Sequence, residues 1–246
     1  MIKTSYKKNK LQIITFIILG ALPLFMDSYY LDNISYFMCW TFISLGLAVI
    51  WGMGGILSFG QTAFFGLAGY GFSVISINFL GVAGVSLWSI ALALILTGIF
   101  GLIVGYFLFY GGIYDVFVGI VTLAITLVFE TFMQQTAGPE YAIGKARLNG
   151  FNGMQGMPTI GFESIPFGLV EGVTQYYFML ILALITLVGL YKFKSSKMGL
   201  IFLASKEDRE RVSSLGHNVQ KIQLIAFTIA SVLAGISGIL YTNWGG

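Results

Sequence analysis

The chain has 246 residues, 57% of them hydrophobic and 9% charged, with a formal net charge of +3 and a mean hydropathy of +0.87. Soluble domains carry about 25% charged residues, so this composition excludes a water-soluble globular fold and asks for a bilayer as solvent. Cys39 is the sole cysteine and lies in an apolar run, which excludes an internal disulfide and any cysteine-based metal site, and no basic–aromatic pattern points to nucleic acid.

A spanning helix needs about 20 mostly apolar residues. Seven candidates follow in chain order, at roughly 11–26, 34–54, 61–80, 87–110, 113–134, 174–191 and 222–242. The first is short and follows Lys3, Lys7, Lys8 and Lys10, the charged front of a signal peptide. "GALPLF" offers no convincing A-x-A cleavage site and further spans follow, so it reads as a retained helix. The expected fold class is all-α, a polytopic membrane protein with about seven transmembrane helices in one transmembrane domain over 1–246.

Lysine and arginine set the orientation. Four lysines precede the first span, and Lys192, Lys194, Lys197, Lys206, Arg209, Arg211 and Lys221 lie between the sixth and seventh. With the N-terminus cytoplasmic, six spans return the chain to the inside at about 192. Only Lys145 and Arg147 then face outward. Two sizeable segments remain outside the membrane: an outer loop, about 135–173, and a cytoplasmic segment, about 192–221. The outer loop is rich in Gly and Pro and carries Glu140, Glu163 and Glu171. It reads either as an irregular exposed loop or as a docking surface or outer gate.

The stretch "WGMGGILSFGQTAFFGLAGYG" (Trp51 to Gly71) holds seven glycines between two apolar runs. Each glycine inside a helix costs about 1 kcal/mol relative to alanine. Two accounts stay open. In one, small residues let helices pack closely, as in Ala48-x-x-x-Gly52 and Gly101-x-x-x-Gly105. In the other the helix breaks, and free N–H groups at a positive helix end suit a carboxylate. Ser58, Gln61 and Thr62 would add hydrogen-bonding groups there, while Phe59, Phe64 and Phe65 would face an apolar side chain. Charge parity places such a break towards the cytoplasm, as an inner gate or a substrate site.

In the cytoplasmic segment, Ser205 and Asp208 have the spacing of a capping box, and Gly216 is a plausible helix terminator. A short helix is expected over about 206–215. Val212 and Leu215 share one face of it, while Lys206, Glu207, Arg209 and Glu210 stay wet. On composition alone it is a solvated connector; the sharper alternative is a helix offered to a cytoplasmic protein.

Four stretches carry a family resemblance. "LGLAVIWGMGGILSFGQTAFFGLAGYG" resembles the opening of the permease subunits of branched-chain amino acid ABC importers, the LivM type, with Gly55, Leu57, Ser58, Gly60, Ala63, Phe64, Gly66, Gly69 and Tyr70 fitting its signature. Gln61 stands where a histidine is usual. "GGIYDVFVGIVTLAITLVFE" resembles a later family stretch, from which Asp115 departs. "LNGFNGMQGMP" resembles an outer segment, and "LASKEDRERVSSLGHNVQKIQLIAFTIASVLAGISGILY" the cytoplasmic loop and following helix. The match covers most of 40–242 in the family's order.

The resemblance implies an inner-membrane ABC importer with two cytoplasmic ATPase subunits, a homologous permease subunit and an external solute-binding protein. It also implies that the helix after Ser205 is the coupling helix, with Lys206, Glu207, Asp208 and Gly216 matching the family pattern and Arg211 and Val212 replacing its usual Ala-Ala pair. Hydrophobic or branched-chain amino acids are the implied cargo, with urea or short amides as the alternative. Family members continue through at least one more span, which implies that this chain stops short.

The chain carries no machinery for chemistry of its own. The only Gly-Lys pair, Gly144-Lys145, is followed by Ala146, so it is not a phosphate-binding loop. No H-E-x-x-H motif or catalytic triad is visible, and the lone His217 reads as a solvated loop residue. The expectation is a non-enzyme with no catalytic residue, metal or cofactor. Asp115 and Glu130 lie 15 residues apart in the fifth span, about 22 Å along a helix, and both read as interfacial. Were they a proton-coupling pair, the chain would instead be an ion-coupled carrier.

Overall fold

The computed structural model describes residues 14–161 and 169–245. Lys3, Lys7, Lys8 and Lys10, the first residues of the expected first span, and Glu163 in the outer loop lie outside the described residues. The order is α1 (Ile14–Leu24), α2 (Ser28–Met53), α3 (Gln61–Asn78), α4 (Val85–Tyr110), α5 (Val116–Gln134), β1 (Ala142–Ile143), β2 (Ala146–Arg147), α6 (Gly172–Ser195), α7 (Lys197–Glu207), α8 (Arg209–Ser214) and α9 (Val219–Gly245).

Among the described residues, five helices rather than seven are long and apolar enough to cross a membrane: α2, α4, α5, α6 and α9. The other two expected spans are helical but fall short for different reasons. Helix α1 is a shorter apolar helix that ends on a tight turn at Pro23. Helix α3 has 18 residues, but Gln61, Asn78, Ser73, Ser76 and three glycines dilute its apolarity.

Helix α9 is the central post, packed by α2, α3 and α4. Its small residues make this possible. A Cβ on Gly238 would run into the Phe65 backbone, and one on Gly235 would meet Ala68 and Thr97 at 3.1 and 3.2 Å. Without a hydrophobic drive between helices in lipid, such close approach supplies dispersion contacts instead. Phe64, Phe109 and Phe227 fill the space below in edge-to-face pairs.

Helix α6 packs on α2 and also holds α1. The Tyr176 and Tyr177 hydroxyls donate to the carbonyls of Leu19 and Gly20 at 2.6 and 3.1 Å. Those carbonyls belong to a helix end, where partners within the helix run out.

The 135–161 segment is more than an irregular loop. It forms the β1–β2 hairpin with Gly144 at φ +63°, as a two-residue turn favours. Ala146, Leu148 and Met154 are buried against Tyr70, Val74, Ile77 and Met133. The Asn78 side chain brackets the turn, donating to the Ile143 carbonyl and accepting from Lys145 N–H, both at 2.8 Å.

Candidate functional site: a helix that starts inside the bundle

The glycine-rich stretch does break the helix. The last turn of α2, Ala48–Met53, widens to a π-helical turn. Gly55 follows at φ +69°, and residues 54–60 are non-helical up to the start of α3. A left-handed backbone is open to glycine without the penalty a side chain brings.

The depth at which α3 begins follows from contacts. Helices α2 and α9 run antiparallel: Trp244 Nε1 donates to Asp32, Ser237 Oγ donates to the Cys39 carbonyl, and a Cβ on Gly46 would meet Ala230. Helix α3 runs parallel to α9, with Phe65 behind Gly238 and Gly69 behind Thr242. With Ala68 also against Gly235, Gln61 stands level with about 228–234 of α9, centred near Ser231, and so with about Leu45 of α2. That is about eight residues, or about 12 Å, inside the Met53 end.

Helix α5 gives an independent measure. Phe59 N–H donates to Thr122 Oγ1, and Thr126 Oγ1 donates to the Phe59 carbonyl, both at 3.0 Å. These threonines lie about 9 and about 15 Å from the start of α5. Both measures put the start of α3 near half the depth of a hydrocarbon core about 30 Å thick.

Irregular backbone at such depth needs partners, and α5 supplies them. Thr122 Oγ1 accepts from Phe59 and donates to the Val118 carbonyl at 2.7 Å, using both capacities of a hydroxyl. Sequence reasoning missed Thr122 and Thr126. Their signal was present as two hydroxyls four residues apart in the apolar run "VTLAIT".

The residues expected on the pathway divide. Ser58 and Gln61 are buried, 2% and 3% exposed. Ser58 Oγ accepts from Gly60 N–H at 3.3 Å, whereas Gln61 Oε1 and Nε2 have no hydrogen-bond partner among the described residues. Phe59 is half exposed, with its ring against Gly119, and Thr62 is exposed. Phe64 does not join them: it is core, edge-on to Phe100 and Phe227. Phe65 likewise stacks on Trp40 with ring centroids 5.3 Å apart.

The segment expected to couple to a partner differs locally from the sequence reading. Helix α7 runs through Lys206 and Glu207, so the separate short helix starts at Arg209 rather than 206. Ser205 is not a cap: it is buried inside α7, and its hydroxyl donates back to the Phe202 carbonyl at 2.8 Å. The N-cap of α8 is Asp208, whose carboxylate accepts from Arg211 N–H at 2.9 Å. Gly216 ends α8 as expected, at φ +82°, with Gly216 N–H to Ser213 O and His217 N–H to Val212 O.

Val212 and Leu215 do not share a buried face: Val212 is 6% exposed and Leu215 71%. Arg209 is not wet. Its guanidinium lies 3.3 Å from the Tyr114 ring centroid, a cation–π contact that ties α8 to the α4–α5 turn.

Helix α7 also touches the break. Lys206 Nζ donates to the Gly52 carbonyl at 3.3 Å, a Cβ on Gly55 would meet the Lys206 stem at 3.0 Å, and one on Gly54 would run into the Phe202 ring. Asp115 and Glu130 are both exposed on this chain, and Glu130 accepts from Gln134 at 3.0 Å.

At the far end, Asn243 of α9 accepts from Ile160 N–H at 2.6 Å and donates to the Val170 carbonyl at 3.1 Å. The Ser86 hydroxyl accepts from Gly161 N–H at 3.0 Å. The chain at 160–161 and at Val170 is thus tied to α4 and α9.

No solved structure matches the chain. It is 25% identical over 250 residues to the high-affinity branched-chain amino acid transport system permease protein LivM of Escherichia coli (strain K12), covering 95% of this chain and 57% of that protein. The protein of the same name from Salmonella typhimurium (strain LT2) is also 25% identical, with the same coverage. The chain therefore spans little more than half the length of the curated relatives it matches. Residues 29–245 match the family described as the permease component of the branched-chain amino acid transport system. With nearly its whole length matched and its apolar helices in place, this multi-pass membrane chain belongs to that permease family.

Proposed function

We propose that the chain forms part of the inner-membrane pathway of an ATP-driven importer, carrying a hydrophobic or branched-chain amino acid. The observation that carries this reading is the start of α3 about 12 Å inside the bundle, beside the buried Gln61 amide, unpartnered among the described residues. A helix N-terminus favours a carboxylate through its free N–H groups and dipole. Ser58, Gln61 and Thr62 supply further polar contacts, and the half-exposed Phe59 ring supplies an apolar surface. Phe64 acts at one remove, by holding α3 against α9.

Energy enters from partners. Of two ATPase subunits in the complex, one docks on the α7–α8 end, where Lys206, Glu207, Asp208, Val212, Leu215 and Gly216 form or support the contact. Lys206 and Phe202 pass the movement to Gly52–Gly55. A homologous permease subunit covers part of the exposed helix surface. A solute-binding protein delivers cargo at the 135–161 end, which faces outward while the N-terminus stays cytoplasmic, as the lysine and arginine distribution favours.

The test is uptake by the reconstituted complex, with labelled leucine and labelled urea, with and without ATP. ATP-dependent leucine uptake is expected. Glu207→Lys with Asp208→Lys should leave the subunit in the membrane and abolish cargo-stimulated ATP hydrolysis. Urea uptake alone would overturn the cargo, and unchanged stimulation would overturn the coupling assignment. Orientation is tested by cysteines at Asn149 and Ser195 in a Cys39→Ser background. An impermeant thiol reagent should reach only the first in intact cells, and equal labelling would overturn the topology.

A further inference from the structure

A second cavity lies away from the α3 site, between α1, the end of α2 and the second half of α6. It measures about 780 Å³ and is walled by Phe16 and Ile17 of α1, by α2 from Leu45 to Met53, and by α6 from Leu184 to Lys194. Its length along α6 is about 15 Å, half of a hydrocarbon core about 30 Å thick and so the depth of one leaflet. The π-helical turn Ala48–Met53 forms one wall, and such turns frequently mark functional sites.

The cavity is apolar along its length and ends at a charge. Lys194 lines its mouth beside Tyr191, and the exposed Lys192 and Lys197 flank it. No acidic residue occurs in the sequence between Glu171 and Glu207, so neither the rest of α6 nor the first turns of α7 supply a carboxylate to offset this cationic group. Basic pockets between membrane helices are suited to anionic headgroups. A leaflet-deep apolar slot that ends in lysines matches one kind of molecule, with its tail in the slot and its phosphate at the lysines.

We propose that this cavity is a binding site for an anionic phospholipid of the leaflet next to α7, with one acyl chain against α2 and α6 and the headgroup phosphate on Lys194. The lipid fills the wall that α1, α2 and α6 leave open beside the break.

The experiment is native mass spectrometry of the complex extracted from membranes and equilibrated with equal parts phosphatidylglycerol and phosphatidylethanolamine. Phosphatidylglycerol should be retained in preference. Lys194→Gln, at an exposed position, should lower that preference at least five-fold, and Ala48→Phe should lower total retained lipid by filling the slot. Lys221→Gln should leave both unchanged. A photoreactive acyl chain on phosphatidylglycerol should label α2 at 45–53 and α6 at 184–191, a readout that needs no variant. Equal retention of the two lipids, an unaltered preference in Lys194→Gln, or labelling confined to other helices would each overturn the site.

Discussion

Helices α9 and α5 are both long and apolar, yet the chain uses them in opposite ways. The chain itself buries 61% of the most apolar 18-residue window of α9 and 17% of that of α5. Helix α9 meets its neighbours through glycine, alanine and serine, with backbones nearly touching. On α5 the buried residues are Val118, Gly119 and Thr122, and hydroxyls on the same stretch hold a segment that is not a helix at all. Hydropathy ranks the two alike; the size of the side chains separates them. The post makes its closest approaches at small residues and fills the space between them with Phe227 and Leu233, while the wall at the pathway uses residues that hydrogen-bond to irregular backbone. Stability should therefore reside in α9 and transport in the α3–α5 junction, and substitutions can pull the two apart.

The largest effect is expected at the post. Gly238→Leu places a side chain against the Phe65 backbone, and overpacking of this kind lowers stability by about 3 kcal/mol or more. Thermal unfolding in detergent would measure it, and a parent-like melting temperature would break the comparison. At the junction the two readouts should diverge. Gln61→Leu removes a buried amide with no partner among the described residues, whose burial carries a penalty of about 1–3 kcal/mol. The variant should melt at or above the parent temperature while uptake falls at least tenfold, and a loss of stability with intact uptake would reverse the assignment.

Thr122→Val keeps the shape but leaves Phe59 N–H without its acceptor. A loss of about 1–2 kcal/mol is expected, together with reduced uptake, and Thr122→Ser should restore both. The smallest effects mark regions outside the comparison. Asp208→Ala should cost about 1 kcal/mol in α8 alone, seen as faster amide exchange at 209–215. Gly52→Ala meets nothing within 4 Å among the described residues and should stay within about 0.5 kcal/mol of the parent.

Much of this arrangement could be read from the sequence. Long apolar runs specify spanning helices because lipid leaves the backbone no other partner. Seven glycines in 21 residues marked the break. What stayed hidden was its depth, because the level of Gln61 depends on how α3 is offset against α9, and only contacts such as Gly238 with Phe65 set that. The α7–α8 boundary misled for a local reason. Ser205 and Asp208 can each cap a helix, and the choice fell to Asp208 because Phe202 draws α7 inward and buries Ser205 with it. Arg209 looked solvated because its partner, Tyr114, lies 95 residues earlier in the chain.

Helix α3 joins two places usually considered separately. At one end Asn78 grips the turn of the β1–β2 hairpin; at the other, Gln61 sits in the interior. The 18 residues between them form a rod about 27 Å long, and its hydrogen bonds run along its axis, so it is stiff in that direction. A push on the hairpin therefore arrives at Gln61 as an axial shift of similar size. Of the glycines that cost α3 its apolarity, Gly69 is the one that lies against α9, at Gly238 and Thr242, where the rod is seated.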